Sequence, residues 1–165
     1  MSSPSKEGGE ERASGGETFA AETEDFVTFI IANQLFGIPV LKVQDVLSSH
    51  NITRIPLAPP EIAGSLNLRG RIVTAMDVRL RLGLPPRERN VSMSIVAEHE
   101  GELYSLMVDS VGEVLALKSS DWERNPPTLD PKFRDYSLGI YRLDKKLLVV
   151  LDVNRLLDYD RAQVA

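Results

Sequence analysis

Asn67-Leu68-Arg69-Gly70-Arg71-Ile72-Val73-Thr74-Ala75-Met76-Asp77-Val78-Arg79-Leu80-Arg81-Leu82-Gly83-Leu84 is the stretch whose reading decides the fold. Ser65 to Leu68 is extended in type, and Arg69-Gly70 supplies a reversal because glycine tolerates positive φ. Ile72 to Val78 is an apolar run rich in β-branched residues, long enough for one buried strand. Asp77 is placed to cap a short helix over Val78 to Leu82, with Gly83 at its end and Pro85 beyond. The unit is therefore strand, tight turn, strand, capped helix.

The chain uses this unit twice. At an offset of 75, Gly64, Leu68, Asp77, Val78 and Leu82 meet the identical residues Gly139, Leu143, Asp152, Val153 and Leu157, and Ile72-Val73 falls on Leu147-Leu148. Upstream, at an offset of 68, Leu35, Val40, Val43, Val46 and Leu47 meet Leu103, Val108, Val111, Val114 and Leu115, and Asp45 meets Glu113. Any two β-hairpins share apolar coincidences. A strand–turn–strand–capped-helix order repeated with its aspartate points instead to a duplicated small barrel, each copy of about five strands.

Working outward, Phe26 to Ile31 and Leu35 to Ile38 predict a hairpin around Ala32-Asn33-Gln34. Val40, Val43, Val46 and Leu47 are spaced for a helical turn but β-branched as for a bent strand, and both readings stay open. Ile52 to Ile55 is expected as a short strand, and Pro56, Pro59 and Pro60 make the next segment a connection. Pro85 to Asn90 is a polar connector between halves. Strands are expected again at Val91–Ala97, Leu103–Val108, Val111–Leu117, Leu138–Leu143 and Leu147–Leu151. Between them Ser119 to Pro131 is a loop carrying Trp122, the only tryptophan, and Lys132 to Tyr136 is irregular. Asp152 caps a C-terminal helix expected to run to about Tyr159. The domain plan is a disordered acidic tail at 1–25, a first barrel half at 26–84, the connector at 85–90, a second barrel half at 91–159 and a short tail at 160–165.

Composition narrows the function. Residues 1–25 hold two basic and seven acidic residues, a net of −5 that equals the charge of the whole chain, so the body is neutral. A neutral body with 6% aromatic residues argues against a nucleic-acid surface, despite six arginines between Arg69 and Arg89. With no cysteine, a thiolate nucleophile, a disulfide framework and a zinc-thiolate site are excluded. No apolar run approaches the roughly 20 residues of a membrane span, and the N-terminus lacks a signal-type apolar core, so a cytoplasmic protein is expected. The two histidines, His50 and His99, stand in polar turn surroundings, and no nucleophile-elbow, zinc-helix or phosphate-loop pattern occurs. Asp77 and Asp152 each precede a helical run, so capping accounts for both without catalysis. Arg79 and Arg81, two apart on a short helix, read as solvated surface. Arg69, at a turn, is able to reach a partner or pair with Asp45. Neither an enzyme nor a cofactor nor a metal is expected.

The residues resemble the CheW family of chemotaxis coupling proteins from Phe26 to Leu157. The pieces that carry the resemblance are Phe36-Gly37-Ile38 with Val43-Gln44-Asp45-Val46, Asn67-Leu68-Arg69-Gly70 with Asp77-Val78-Arg79, Val108 to Val114, and Gly139-Ile140 leading to Asp152. The resemblance implies two SH3-like five-stranded β-barrels with short capping helices and a hydrophobic seam between them. It implies an adaptor without catalysis, joining the cytoplasmic tips of methyl-accepting chemoreceptors to the histidine kinase CheA, whose regulatory domain is itself CheW-like. Receptor-binding residues carried over from the family are Val43, Asp45, Arg69 and Val111; Gly64, Asn67, Gly70, Asp77, Gly139 and Asp152 are expected to serve the fold. The chain departs from the family in carrying Asp45 where Glu is frequent and Thr74 where Pro is frequent. A CheW-like module of another two-component pathway and a nucleic-acid-binding double barrel are the alternatives. The implied location is cytoplasmic, with recruitment to receptor arrays through partners and no insertion into the membrane.

Overall fold

The structure is a computed structural model and describes residues 22–48, 51–86 and 93–158. The expectations for residues 1–21, His50, Arg87 to Asn90 of the connector, Val91 at the start of the next strand, Tyr159 and the tail at 160–165 lie outside the described residues. Eleven strands form among those described: β1 Thr23–Ile31, β2 Gln34–Pro39, β3 Val43–Leu47, β4 Ile62–Leu68, β5 Arg71–Asp77, β6 Met93–His99, β7 Glu102–Val108, β8 Ser110–Lys118, β9 Trp122–Glu123, β10 Ser137–Leu143 and β11 Lys146–Leu151. Three one-turn helices join them: α1 Val78–Arg81, α2 Pro131–Arg134 and α3 Val153–Leu156.

The duplication holds strand by strand. An offset of 75 carries β4 onto β10 and α1 onto α3 with identical bounds, and an offset of 68 carries β2 onto β7 and β3 onto β8 to within a few residues. Strand order nevertheless corrects the division into a barrel at 26–84 and another at 91–159. One sheet runs β8-β1-β2-β11-β10-β9 and the other β3-β6-β7-β5-β4. Each barrel thus takes the first two strands of one repeat and the last three of the other, with β9 added to the first. After β2, a 3₁₀ turn at Val40–Lys42 carries the chain into the other sheet; after β7, Asp109 is where it crosses back. The exchanged strands are held by a parallel pairing that recurs in both barrels, β2 with β11 and β5 with β7.

Several local expectations shift. The 3₁₀ turn followed by β3 means that both readings of Val40 to Leu47 apply, each to part of it. Structure starts at Thr23 and not at Phe26, because Glu24 and Asp25 pair through their backbones with Leu117 and Ala116 while their side chains face water. The strand expected at Ile52 to Ile55 reduces to a single bridge from Thr53 to Ser65, since the prolines that follow cannot continue a ladder. Lys132 lies in α2, which Asp130 caps by accepting from the Lys132 amide at 2.9 Å.

Apolar runs without alternation follow from this architecture. A strand between a barrel interior and the seam buries both of its faces. On β11, Leu148 and Val150 enter one barrel interior with Phe26, Leu35 and Tyr141, while Val149 and Leu151 enter the seam. On β7, Leu103 and Met107 fill the other barrel with Leu66, Val73, Ala75 and Val96, while Tyr104, Leu106 and Val108 face the seam. The seam is the largest core. There Phe29 stacks on Phe36 at 5.6 Å between ring centres, and Phe133 of α2 meets Phe36 edge-on at 5.4 Å.

Candidate functional site

Arg69 and Gly70 form the two-residue turn between β4 and β5 with φ of 52° and 85°, the left-handed pair that matches the strand twist. Asn67 fixes the turn, its Oδ1 accepting from the Gly70 amide at 2.9 Å. The backbone thereby aims the Arg69 side chain outward, 76% exposed, and its Nη2 donates to Asp45 Oδ2 at 2.8 Å. Asp45 sits beside a bulge on β3, the edge strand of the five-stranded sheet, and its Oδ1 accepts from the Val46 amide at 2.8 Å. The pair thus ties the hairpin tip at one edge of the sheet to the strand at the other. The shorter Asp45 reaches Arg69 without difficulty.

Val43 and Val111 lie at the starting ends of the edge strands β3 and β8 and pack half-buried against the seam core. Farther along the same strands, Val46 and Val114 are exposed, and Ile30 stands beside β8 through its pairing with Ser110. The barrels differ in charge here. The counterparts of Asp45 and Arg69 are Glu113 and Asp144, both acidic, so the ion pair belongs to one barrel only.

The residues repeated between the halves lie at stress points of the backbone. Gly64 and Gly139 have φ of 149° and 148° and stand at matching bulges in β4 and β10. A Cβ on Gly64 would overlap the Thr53 carbonyl, and one on Gly139 the Trp122 indole, because the bridge residue Thr53 and β9 come close there. Asp77 accepts from the Leu80 amide at 3.4 Å and Asp152 from the Arg155 amide at 3.1 Å, so both cap their helices.

Arg79 and Arg81 are not the solvated pair expected. Arg79, its side chain 17% exposed, donates to Asp109 Oδ2 at 2.7 Å and to the Pro85 carbonyl at 3.0 Å. The same Asp109 oxygen accepts from the Ala32 amide at 2.8 Å, and the Asp109 amide donates to the Ile30 carbonyl. Arg81 donates to the carbonyls of Leu156, Arg155 and Asp158 at 2.7, 3.2 and 3.0 Å and covers the Tyr136 ring. A helix of one turn leaves its last carbonyls open, and a forked cation from the other repeat satisfies them. These latches join the repeats across the seam. Spacing on α1 alone gave no sign of them; the acid at the crossing point Asp109 was the available signal.

Comparison with known proteins agrees with this geometry. The CheW-like domain matches residues 25–161. The chain belongs to the CheW-like family. Among curated relatives, the chemotaxis protein CheW of Bacillus subtilis is 30% identical over 145 residues, covering 86% of this chain and 92% of that protein. The chemotaxis protein CheW of Helicobacter pylori is 27% identical over 140 residues, covering 84% of each. Among solved structures, the scaffolding protein TtCheW of Thermoanaerobacter tengcongensis superposes with a TM-score of 0.75 at 30% identity, covering 84% of this chain and 95% of that one. The CheW-like fold of two small β-barrels therefore accounts for both sheets. No helix among the described residues is long and apolar enough to cross a membrane.

Proposed function

We propose that this CheW-like chain is a chemotaxis adaptor, a non-catalytic scaffold that couples methyl-accepting chemoreceptors to a CheA-type histidine kinase. It works in the cytoplasm and is brought to membrane receptor arrays by its partners. The observation that carries the receptor assignment is the ion pair of the exposed Arg69 with Asp45, at one barrel end beside apolar edge strands. An amphipathic receptor helix lays its apolar face along Val43 and Val111, and the charges at the rim set its register. An exposed pair contributes only ~0–1 kcal/mol to folding. Arg69 is accordingly a recognition residue. The barrel ends meet the kinase's own CheW-like barrels.

Arg69→Glu tests the assignment. Co-sedimentation with receptor cytoplasmic fragments is expected to fall at least tenfold, while thermal unfolding and kinase binding stay at the parent values. Receptor co-sedimentation unchanged by the substitution would refute the receptor site.

A further inference from the structure

The β10–β11 hairpin carries a strained lysine and charges that the fold leaves unused. Asp144 and Lys145 turn β10 into β11, and Lys145 stands at φ of 92°. Its counterpart at the offset of 75 is Gly70, at φ of 85°. Glycine takes that conformation freely, whereas lysine takes it under strain. Arg142 replaces Asn67, so the second turn has no side-chain acceptor like the one that fixes the first. Beside the turn lies a cleft of about 330 Å³ lined by Arg142, Leu143, Lys145, Lys146 and Leu147. Its leucines are half-buried, Leu143 against the interior of its own barrel and Leu147 against the seam. Gln34 steadies the wall by donating to the Leu147 carbonyl at 2.9 Å. Lys145 and Lys146 are exposed, and their side chains make no ion pair or hydrogen bond among the described residues. Arg142 is held by Glu123 at 3.0 Å, with both side chains open to water.

We infer that this cleft docks an acidic segment of a protein partner, which seats an aliphatic side chain on Leu143 and Leu147 and brings a carboxylate to Lys145 and Lys146. Charge sets the sign of the occupant: three cations line the cleft and no acid does. The other hairpin sets its chemistry, since the cation there, Arg69, is met by a carboxylate, Asp45, at 2.8 Å. In the second repeat the counterparts Asp144 and Glu113 are both acidic and cannot form that pair, so a carboxylate for the two lysines comes from another molecule. The surroundings set its class. Asp144 at the tip and Glu123 beside Arg142 interrupt the positive surface. One or two carboxylates on a peptide avoid those acids, whereas the evenly charged backbone of a nucleic acid or an anionic lipid surface meets them. The leucine floor adds apolar contact that a peptide side chain can use. Strain at an exposed turn also points outward, because nothing within the fold requires a lysine where glycine fits. This surface uses neither Arg69 nor Asp45 and goes beyond the receptor assignment.

The test is an NMR titration of the full ¹⁵N-labelled chain with the blocked peptide acetyl-Glu-Leu-Glu-amide, alongside the same peptide with Gln for both Glu residues. Saturable shifts are expected from Arg142 to Leu147, with at least tenfold weaker binding of the Gln peptide and an affinity that falls as salt is raised. Lys145→Gly separates binding from folding: it should lose at least fivefold in affinity for the Glu peptide while the unfolding temperature holds or rises, because the strain is relieved. Lys146→Gln should lose affinity by a similar factor. Equal binding of the two peptides, shifts centred on Arg69 and Arg71, absence of saturable shifts, or full affinity in Lys145→Gly would each overturn the proposal. Tighter binding at the same residues of phosphatidylglycerol vesicles or of a single-stranded oligonucleotide would also overturn it. So would a tenfold gain in peptide affinity on removal of residues 1–21, by showing that the chain's own acidic N-terminal segment holds the cleft.

Discussion

The Arg79–Asp109 latch is expected to carry stability that the Arg69–Asp45 pair does not. Arg79 and Asp109 side chains are 17% and 25% exposed, and Arg79→Ala removes two charge-assisted hydrogen bonds from the place where β1, β8 and α1 meet. A hydrogen bond to a charged group is worth about 1.5–3 kcal/mol, and removing one partner of a fully buried pair costs about 3–5 kcal/mol. With water still reaching a fifth of this pair, the expected loss is ~2–3 kcal/mol. For a chain of this size that is a fall of about 4–12 °C in the unfolding temperature. Urea unfolding should show a lower midpoint at unchanged slope, since the surface exposed on unfolding is the same. A double-mutant cycle with Asp109→Ala should give a coupling of about 1.5–2.5 kcal/mol, whereas the cycle across Arg69 and Asp45 should stay below ~1 kcal/mol and shrink in salt. A loss below ~0.5 kcal/mol for Arg79→Ala, or equal couplings in the two cycles, would refute the latch as a structural element.

Two further predictions follow from backbone and burial. Gly139→Ala should cost about 3 kcal/mol or more, because φ of 148° and the Trp122 ring both oppose a Cβ, whereas Gly70→Ala meets nothing within 4 Å and should cost only ~1–2 kcal/mol for its positive φ. Chemical denaturation decides this, and equal losses would refute the close strand crossing. The Tyr141 phenol is raised above its ordinary 10.0 by burial, then by Glu24 and Asp121. Because the folded state holds this proton more tightly than the unfolded chain, its contribution is complete below pH 10 and is lost as pH rises through the raised value. Tyr141→Phe should flatten the alkaline fall in stability; superimposable pH profiles would show that another group controls it.

What was legible in the sequence is what the chain decides locally. The Arg69-Gly70 reversal, the caps at Asp77 and Asp152 and the matched glycines each depend on a few neighbouring residues, and all stand where their spacing put them. The partition into barrels was not legible, because it depends on which strands pair. β1 joins β8 across some eighty residues, and the apolar content of β2 suits a place beside β11 as well as one beside β5. Strands buried on both faces carry no alternation that would mark one face as belonging to either barrel. Arg79 and Arg81 escaped for a related reason: their partners are carbonyls and a carboxylate brought near only by the exchange of strands between repeats.

The duplication also separates residues that serve the fold from residues that do something else. Gly64 and Gly139, and Asp77 and Asp152, are the same in both copies because both copies meet the same bulge and the same open helix end. Four of the places where the copies differ are Arg69 against Asp144, Asp45 against Glu113, Arg79 against Asn154, and Asp109 against Leu41. The fold evidently tolerates either residue there, since both barrels form. Two of those differences build the latch in one copy, while the other copy has Asn154 and Leu41 at the same positions. The other two tie the β4–β5 turn to β3 by an ion pair that is 76% exposed on its arginine side and of little value to stability, whereas the other barrel's exposed pair joins Arg142 of β10 to Glu123 of β9. A pseudo-symmetric body gains a defined polarity from this difference in where its exposed charges are placed.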